Sequence, residues 1–290
     1  MRPIPRELIA DTAERLEALD GPAEKIQGVV KNVVPDDSRL KDLLSGTWLG
    51  HPLHPLLTDV VIGCWTSSFL LDMLPGKRTQ AASDRLIGLG ILAAVPTAAA
   101  GLSDWAELFG GLRRAGTVHA AGNTTAIGLY GMSYLARKRG KRARGWLLST
   151  LGFGVSLASA YLGGHLSFGR GVGVNQTSFE SPPSEWTPAL DESELEEGKP
   201  QHARVNGAGV MLVRQEGRVH ALSDRCSHRG CSLHEGDVEG DTLTCPCHGS
   251  TFRLEDGAVV TGPATSPAPA FETRVRDGKV EVRLPGGAPY

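Results

Sequence analysis

At 290 residues the chain has room for two ordinary domains. Its 40% apolar and 21% charged residues and its formal net charge of −2 exclude collagen-like, disordered and strongly basic nucleic-acid-binding classes, and five cysteines are too few for a disulfide scaffold. The averages hide a division: residues 1–168 carry 18 Lys+Arg against 14 Asp+Glu, whereas residues 169–290 carry 12 against 18. Four of the five cysteines fall within 22 positions of the second part.

Residues 1–50 read as an amphipathic helical leader. Leu8, Ile9, Thr12, Ala13, Leu16 and Leu19 recur at helical spacing. Glu7, Asp11, Glu14 and Glu17 break up the apolar core that a secretory signal needs. Gly21-Pro22 is expected to end this helix, and a second stripe from Ile26 through Val29, Val30 and Val33 to Val34 stops at Pro35. Such helices pack on their own protein or lie in a membrane interface, and the sequence leaves both readings open.

The texture changes at His51. Residues 56–74 are apolar apart from Asp59 and Asp72 and a few small polar residues, and residues 86–102 carry no charge. Residues 117–136 are interrupted by His119, Asn123 and small hydroxyls, and 146–168 hold no Asp, Glu, Lys or Arg and one histidine, His165. Each run approaches the roughly 20 residues that a bilayer span needs. Four of them joined by short polar loops predict an all-α four-helix transmembrane bundle over 51–168, rich in the small residues that let membrane helices approach. Residues 137–144 hold six basic residues in eight, and Lys77, Arg78 and Arg85 lie on the same side. Opposite them, Arg113 and Arg114 are offset by Asp104 and Glu107. The positive-inside rule then places both termini outside the cytoplasm of a multi-pass cell-membrane protein.

His51, His54, His119 and His165 share one side of that bundle. Ionisable residues near spans are costly and often functional, and paired imidazoles ligate haem iron. This face could hold haem b, a metal or a quinone. In the competing reading, the His-Pro pairs orient a helix start and the other imidazoles bond across helices. Cys64 has no evident role. Gly50-His51-Pro52-Leu53-His54-Pro55, the following Asp59 and Gly63, His119 with Asn123, and Gly163-Gly164 resemble an uncharacterised family of bacterial four-helix membrane proteins over about residues 46–175. The resemblance implies the bundle and supplies no activity.

Residues 169–184 are glycine-rich, then proline-rich, and read as a tether that could let the last domain swing. The acidic run 191–197 reads as a solvated turn. From Trp186 short apolar runs alternate with turns at Gly207 and Glu216-Gly217, predicting a small all-β antiparallel barrel or sandwich over 185–285. Two loops interrupt the strands: Cys226-Ser227-His228-Arg229-Gly230-Cys231 and Cys245-Pro246-Cys247-His248-Gly249-Ser250. Thiolates with imidazoles mean a transition metal. Zinc is the first rival, since two Cys and two His can close a tetrahedron. Zinc fingers, however, rarely use Cys-x-His followed by Cys-x-x-His with sixteen residues between. The pattern suits a binuclear cluster to which each loop gives one sulfur and one nitrogen.

These loops resemble those of the Rieske 2Fe-2S domain, over about residues 186–285. The resemblance assigns Cys226 and Cys245 to one iron and His228 and His248 to the other. It implies that Cys231 and Cys247 form the disulfide that braces the loops in the Rieske proteins of cytochrome bc complexes, a pair many soluble Rieske ferredoxins lack. A disulfide suits an oxidising compartment, in agreement with the loop charges. Gly262-Pro263-Ala264 resembles the proline loop that covers the cluster. Ser250 matches a serine that reaches a bridging sulfide in high-potential members, and Phe252 stands where those often carry a tyrosine bonded to a cysteine sulfur. An intermediate-to-high potential is expected, with exposed His228 and His248 coupling proton to electron uptake. His202, His220 and His234 read as ordinary residues.

The implied function is a membrane-anchored carrier of single electrons, a component rather than a complete enzyme. It would run between quinol, or a site in the bundle, and a cytochrome or other redox partner protein. A tethered ferredoxin serving an oxygenase and a cluster-based redox sensor are the alternatives. No nucleic-acid partner is expected, and the oligomeric state is left open.

Overall fold

The computed structural model describes residues 6–284, with side chains from residue 9 onward. The first five residues of the expected leader, the Leu8 side chain and residue 285 of the expected last domain lie outside that range. Among the described residues seven α-helices form: α1 (Arg6–Glu14), α2 (Asp20–Val33), α3 (Arg39–Ser45), α4 (Leu53–Asp72), α5 (Lys77–Trp105), α6 (Gly110–Lys138) and α7 (Arg142–Gly164), the last continued by a π-turn, His165–Gly169. Ten strands follow. The chain divides into two compact units, Met1–Val34 with Leu53–Val172, and Pro35–Pro52 with Gly173–Tyr290.

In the first unit the leader packs one face on its own protein and leaves Ile26, Val29 and Val33 exposed. The buried face is made of small residues: Ala10 and Ala13 sit with Ala115, Leu162 and Leu166, and Ala23 with Trp105 and Leu108. Gly21-Pro22 falls inside the first turn of α2 rather than ending a helix, because proline there forfeits an N–H that has no helical partner anyway. Gln27 Nε2 donates to the carbonyls of Ala106 (3.2 Å) and Leu108 (2.9 Å), capping the end of α5. Arg113 and Arg114 both donate to Asp20, and Arg113 also to Glu24 (2.9 Å). The Arg114 hydrogen bond and that of Arg113 hold the Asp20 carboxyl down to about 2. Glu14 accepts from His165 Nε2 (2.7 Å) and from Arg170 Nε (2.7 Å), and the Arg170 bond keeps its carboxyl below the ordinary value.

α5 and the α7 segment through Gly169 are long and apolar enough to cross a membrane. Four spans were expected. α4 and α6 do not reach the same apolar level, because His54, Pro55 and Asp59 interrupt the one and Arg113, Arg114, His119 and Asn123 the other. All four helices nevertheless leave large apolar side chains uncovered, among them Leu70, Leu92, Val95, Leu135, Leu151 and Leu157. At the other end of the unit the Arg137 side chain is fully buried. It pairs with Asp72 and Asp84 and donates to Ser83 (3.2 Å) and Ser149 (2.8 Å). Arg142 reaches the same two carboxylates.

The second unit holds β1 (Thr187–Asp191), β2 (Gln201–Val205), β3 (Ala208–Gln215), β4 (Arg218–Ser223), β5 (Asp237–Glu239), β6 (Thr242–Thr244), β7 (Thr251–Arg253), β8 (Val259–Thr261), β9 (Ala270–Arg276) and β10 (Lys279–Arg283). Six strands form an antiparallel sheet in the order β1-β10-β9-β4-β3-β2, and β1 lies near β2, so the sheet curls into a near-barrel. Its core is Val205, Val210, Leu212, Ala221, Phe271, Val280 and Val282. Asn206-Gly207, Glu216-Gly217 and Asp277-Gly278 connect its hairpins with positive φ at both positions, the geometry that matches strand twist. A smaller sheet, β5-β6-β7-β8, carries the cysteine loops.

The expected tether is held along this unit from Gly173 onward. Gln176 N–H donates to Ser227 O (3.0 Å), Ser223 Oγ donates to the Glu180 carboxylate (2.7 Å), and Leu284 N–H donates to Pro183 O (2.8 Å). Burial raises Glu180 above its ordinary value, and the Ser223 bond opposes that shift.

Candidate metal centre

The two cysteine loops share one backbone design. Cys226 N–H donates to Cys231 O (2.8 Å) and Gly230 N–H to Cys226 O (2.8 Å). In the second loop Cys245 N–H donates to Ser250 O (2.8 Å) and Gly249 N–H to Cys245 O (3.1 Å). Both turns need a residue at positive φ, and glycine supplies it at Gly230 (75°) and Gly249 (74°). Cys231 and Cys247 are joined by a disulfide, which locks the loops face to face.

This folding brings like with like. Cys226 and Cys245 are free thiols, 1% and 2% exposed, and their side chains hydrogen-bond each other. That bond and burial push the Cys226 thiol well up. The same bond, with the N–H groups of Cys247 and His248, holds Cys245 below the ordinary thiol value. The N–H groups of His228 and Arg229 reach the Cys226 sulfur. Two buried sulfurs, each met by two backbone donors, are built to carry negative charge beside a cation. The imidazoles of His228 and His248 stand edge to face with centroids 5.1 Å apart. Two imidazoles on one tetrahedral metal, with bonds of about 2.1 Å, have centroids about 5 Å apart. The four side chains therefore fit a site taking sulfur on one side and nitrogen on the other. Cys245 also lies within 4.8 Å of both disulfide sulfurs, which are spent on each other and cannot ligate. His228 is half-buried and His248 is 8% exposed, so the expected pair of open imidazoles is more covered than the sequence implied.

A third loop, 262–269, closes the end. Ala264 N–H donates to Ser250 Oγ (2.9 Å), and Ser227 Oγ donates to Ser266 O (2.6 Å), so each cysteine loop is tied to it. The Ser250 hydroxyl accepts this bond and keeps its own hydrogen to donate. Phe252 is fully buried in the core that also contains Cys226 and Cys245. Gly262 and Pro263 open the loop, and Gly262 N–H donates to Asp42 Oδ1 (2.6 Å), while Thr47 Oγ1 donates to Ala264 O (3.2 Å). Asp42 and Thr47 carry no motif, and nothing in the sequence pointed to them. Asp224 was missed as well. Its carboxylate accepts from His202 Nδ1 (2.8 Å) and from the His234 backbone N–H (2.8 Å), pinning both ends of the first loop.

A family model described as "Rieske [2Fe-2S] domain" matches residues 185–272, and one described as "Predicted membrane protein (DUF2231)" matches residues 50–176. The chain is 33% identical over 98 residues to ferredoxin CarAc of Metapseudomonas resinovorans, covering 33% of this chain and 92% of that protein. The chain belongs to the Rieske family. Its Rieske domain is also 32% identical over 92 residues to the cytochrome b6-f complex iron-sulfur subunit of Chlorobaculum tepidum, covering 32% of this chain and half of that protein. Among solved structures, the ferredoxin of carbazole 1,9a-dioxygenase from Nocardioides aromaticivorans IC177 is 28% identical, covering 34% of this chain and 98% of its own, with a TM-score of 0.33. Membership implies a 2Fe-2S cluster and makes the chain an iron-sulfur electron carrier.

The four histidines of the helical part differ in what they meet. His51 lies in the second unit, exposed, with Nδ1 on the neighbouring Pro52 carbonyl. His165 is engaged by Glu14. His54 and His119 do come together, with ring centroids 6.5 Å apart.

Proposed function

We propose that Cys226 and Cys245 take one iron of the cluster and His228 and His248 the other, in a membrane-anchored Rieske protein. The carrying observation is the segregation of two adjacent buried sulfurs from two imidazoles at the spacing of neighbouring ligands. The cluster, when bound, accepts and returns one electron. The chain's own residues set its surroundings: four backbone N–H groups and the Ser250 hydroxyl favour added negative charge. The disulfide keeps the two loops in register, and the imidazoles are the ligands nearer the surface. Replacing His248 by serine is expected to abolish the rhombic Rieske paramagnetic resonance signal while the helical unit keeps its circular dichroism. Persistence of that signal would sink the assignment.

The helical unit is read as a four-helix multi-pass anchor. Support comes from two helices of spanning character, uncovered apolar side chains on all four, and the membrane-family match. The basic segment 137–144 favours a cytoplasmic position for its own end and an extracytoplasmic Rieske domain. The disulfide favours the same side, and with the likeness to a cytochrome b6-f subunit it favours quinol as donor and a cytochrome as acceptor. A second reading, electron supply to an oxygenase, is favoured by the likeness to ferredoxin CarAc. Quinol added to isolated membranes should reduce the cluster. If dithionite reduces it and quinol does not, the first reading fails. Protease added to spheroplasts should remove the Rieske domain; full protection would place it inside.

A further inference from the structure

The helical unit is an internal duplication. Shifting α4 by 65 positions lays it on α6, and shifting α5 by 62 lays it on α7. His54 then matches His119, Trp65 matches Tyr130, Ser68 matches Ser133, and Gly63 matches Gly128. On the partner helices Thr97 matches Ser159, Gly90 matches Gly152, and Gly101 matches Gly163. The contacts repeat with the residues. His54 Nδ1 meets the Thr97 carbonyl (2.9 Å), and His119 Nδ1 meets the Ser159 carbonyl (2.8 Å). A Cβ on Gly101 would come within 2.7 Å of the His54 ring, and one on Gly163 within 2.9 Å of the His119 ring. Trp65 and Tyr130, one from each half, stack at 4.0 Å. The two halves thus repeat each other's contacts, and His54 and His119 lie with ring centroids 6.5 Å apart and planes nearly perpendicular.

We infer that His54 and His119 form a second metal centre, separate from the cluster, which holds one metal by two imidazole nitrogens in trans. A carbonyl cannot donate, so each Nδ1 carries the proton and each Nε2 the lone pair. A ring N–H given to a backbone carbonyl is what orients and activates a ligating histidine. Two imidazoles bound in trans, at about 2.1 Å each, have centroids about 6.4 Å apart, and the observed separation is 6.5 Å. Gly101 and Gly163 give each ring its room at the helix contact. Asn123 Nδ2 now donates to His119 Nε2 (3.1 Å), and the metal takes the place of that donor. Trans imidazoles are the axial set of a non-covalent haem iron and also the pair that binds a bare copper(I) ion.

The full chain, purified in detergent, is titrated with hemin and, separately, with chelator-buffered copper(I). One equivalent of hemin should bind with a six-coordinate low-spin spectrum, or one equivalent of copper(I) should bind instead, which names the metal. His54→Ala and His119→Ala should each weaken binding at least ~tenfold, and added imidazole should restore it. The Rieske paramagnetic signal and the melting transition show that each variant is folded. The inference is overturned if neither probe binds at one per chain, if both variants keep the parent affinity, or if imidazole rescues neither folded variant.

Discussion

Gly262→Ala tests whether the segment carrying α3 is a working part of the cluster end. Gly262 N–H donates to Asp42 Oδ1 at 2.6 Å, and Thr47 Oγ1 donates to Ala264 O at 3.2 Å. A Cβ on Gly262 would run into Thr47 Oγ1 and lie 2.9 Å from Asp42 Oδ1. Neither partner can retreat without breaking its own bond. A hydrogen bond to a charged group is worth about 1.5–3 kcal/mol and a neutral one about 0.5–1.5 kcal/mol. Asp42 is half-exposed, so the lower ends apply and the pair contributes about 2 kcal/mol. At about 1.4 kcal/mol per tenfold, docking of the segment weakens about thirtyfold. Hydrogen exchange on the full chain should show that loss of protection over residues 39–49. Asp42→Ala should lose a similar amount, and the double variant little more, because both changes remove one contact. Unchanged protection in Gly262→Ala, or fully additive losses, would refute the reasoning.

Phe252→Tyr places a hydroxyl beside the buried cysteines. Each ~1 kcal/mol by which it favours the reduced cluster raises a one-electron potential by about 40 mV, so a redox titration showing no rise counts against the reading. Replacing Cys231 and Cys247 together by serine removes a cross-link spanning 16 positions, which should cost about 3 kcal/mol in urea unfolding; an unmoved midpoint would deny the disulfide its bracing role. Arg114 and Arg113 depress Asp20 from its ordinary 3.8 to about 2. Its contribution to leader docking is therefore complete above 3.8 and is lost as pH falls toward 2. Hydrogen exchange over residues 9–33 should show that acid step, and Asp20→Asn should remove it; a step surviving in the variant would assign it elsewhere.

The cluster end was legible where its chemistry is local. Cys226, His228, Cys245 and His248 sit in two short loops whose residue types and spacings are dictated by ligation, and the hairpin turns announce themselves by their glycines. Its third wall was not legible. Asp42 lies 220 positions from the N–H it accepts, and an ordinary aspartate near a helix carries no sign of that partner. The leader was read from its leucines and valines, yet its buried face is Ala10, Ala13 and Ala23, because close helix approach selects small residues. In the segment expected to be a tether, hydrogen bonds add what composition does not show. Glycine and proline content describes what a free chain would do, whereas Ser223 and Ser227 decide where this one lies.

The duplication of the helical unit is faint in the sequence because it preserves contacts more than identities. In helices made largely of small and aliphatic residues a few matched glycines carry little signal, whereas Trp65 against Tyr130 and Thr97 against Ser159 keep size and bonding. Two departures from the repeat are the informative ones. Asp72 and Arg137 occupy equivalent positions with opposite charge and pair with each other, which identical halves could not do; this fastens one end of the bundle. At the other end Thr58 and Asn123 are equivalents: Thr58 Oγ1 turns to the His54 carbonyl (2.8 Å), while Asn123 donates to His119 Nε2. Fastening helices would account for both Nδ1 bonds and would be served equally by either half. It would not by itself account for a ring-centroid separation of 6.5 Å, which is that of trans ligands. The asymmetry at Thr58 and Asn123 would make the two imidazoles inequivalent toward a metal held between them.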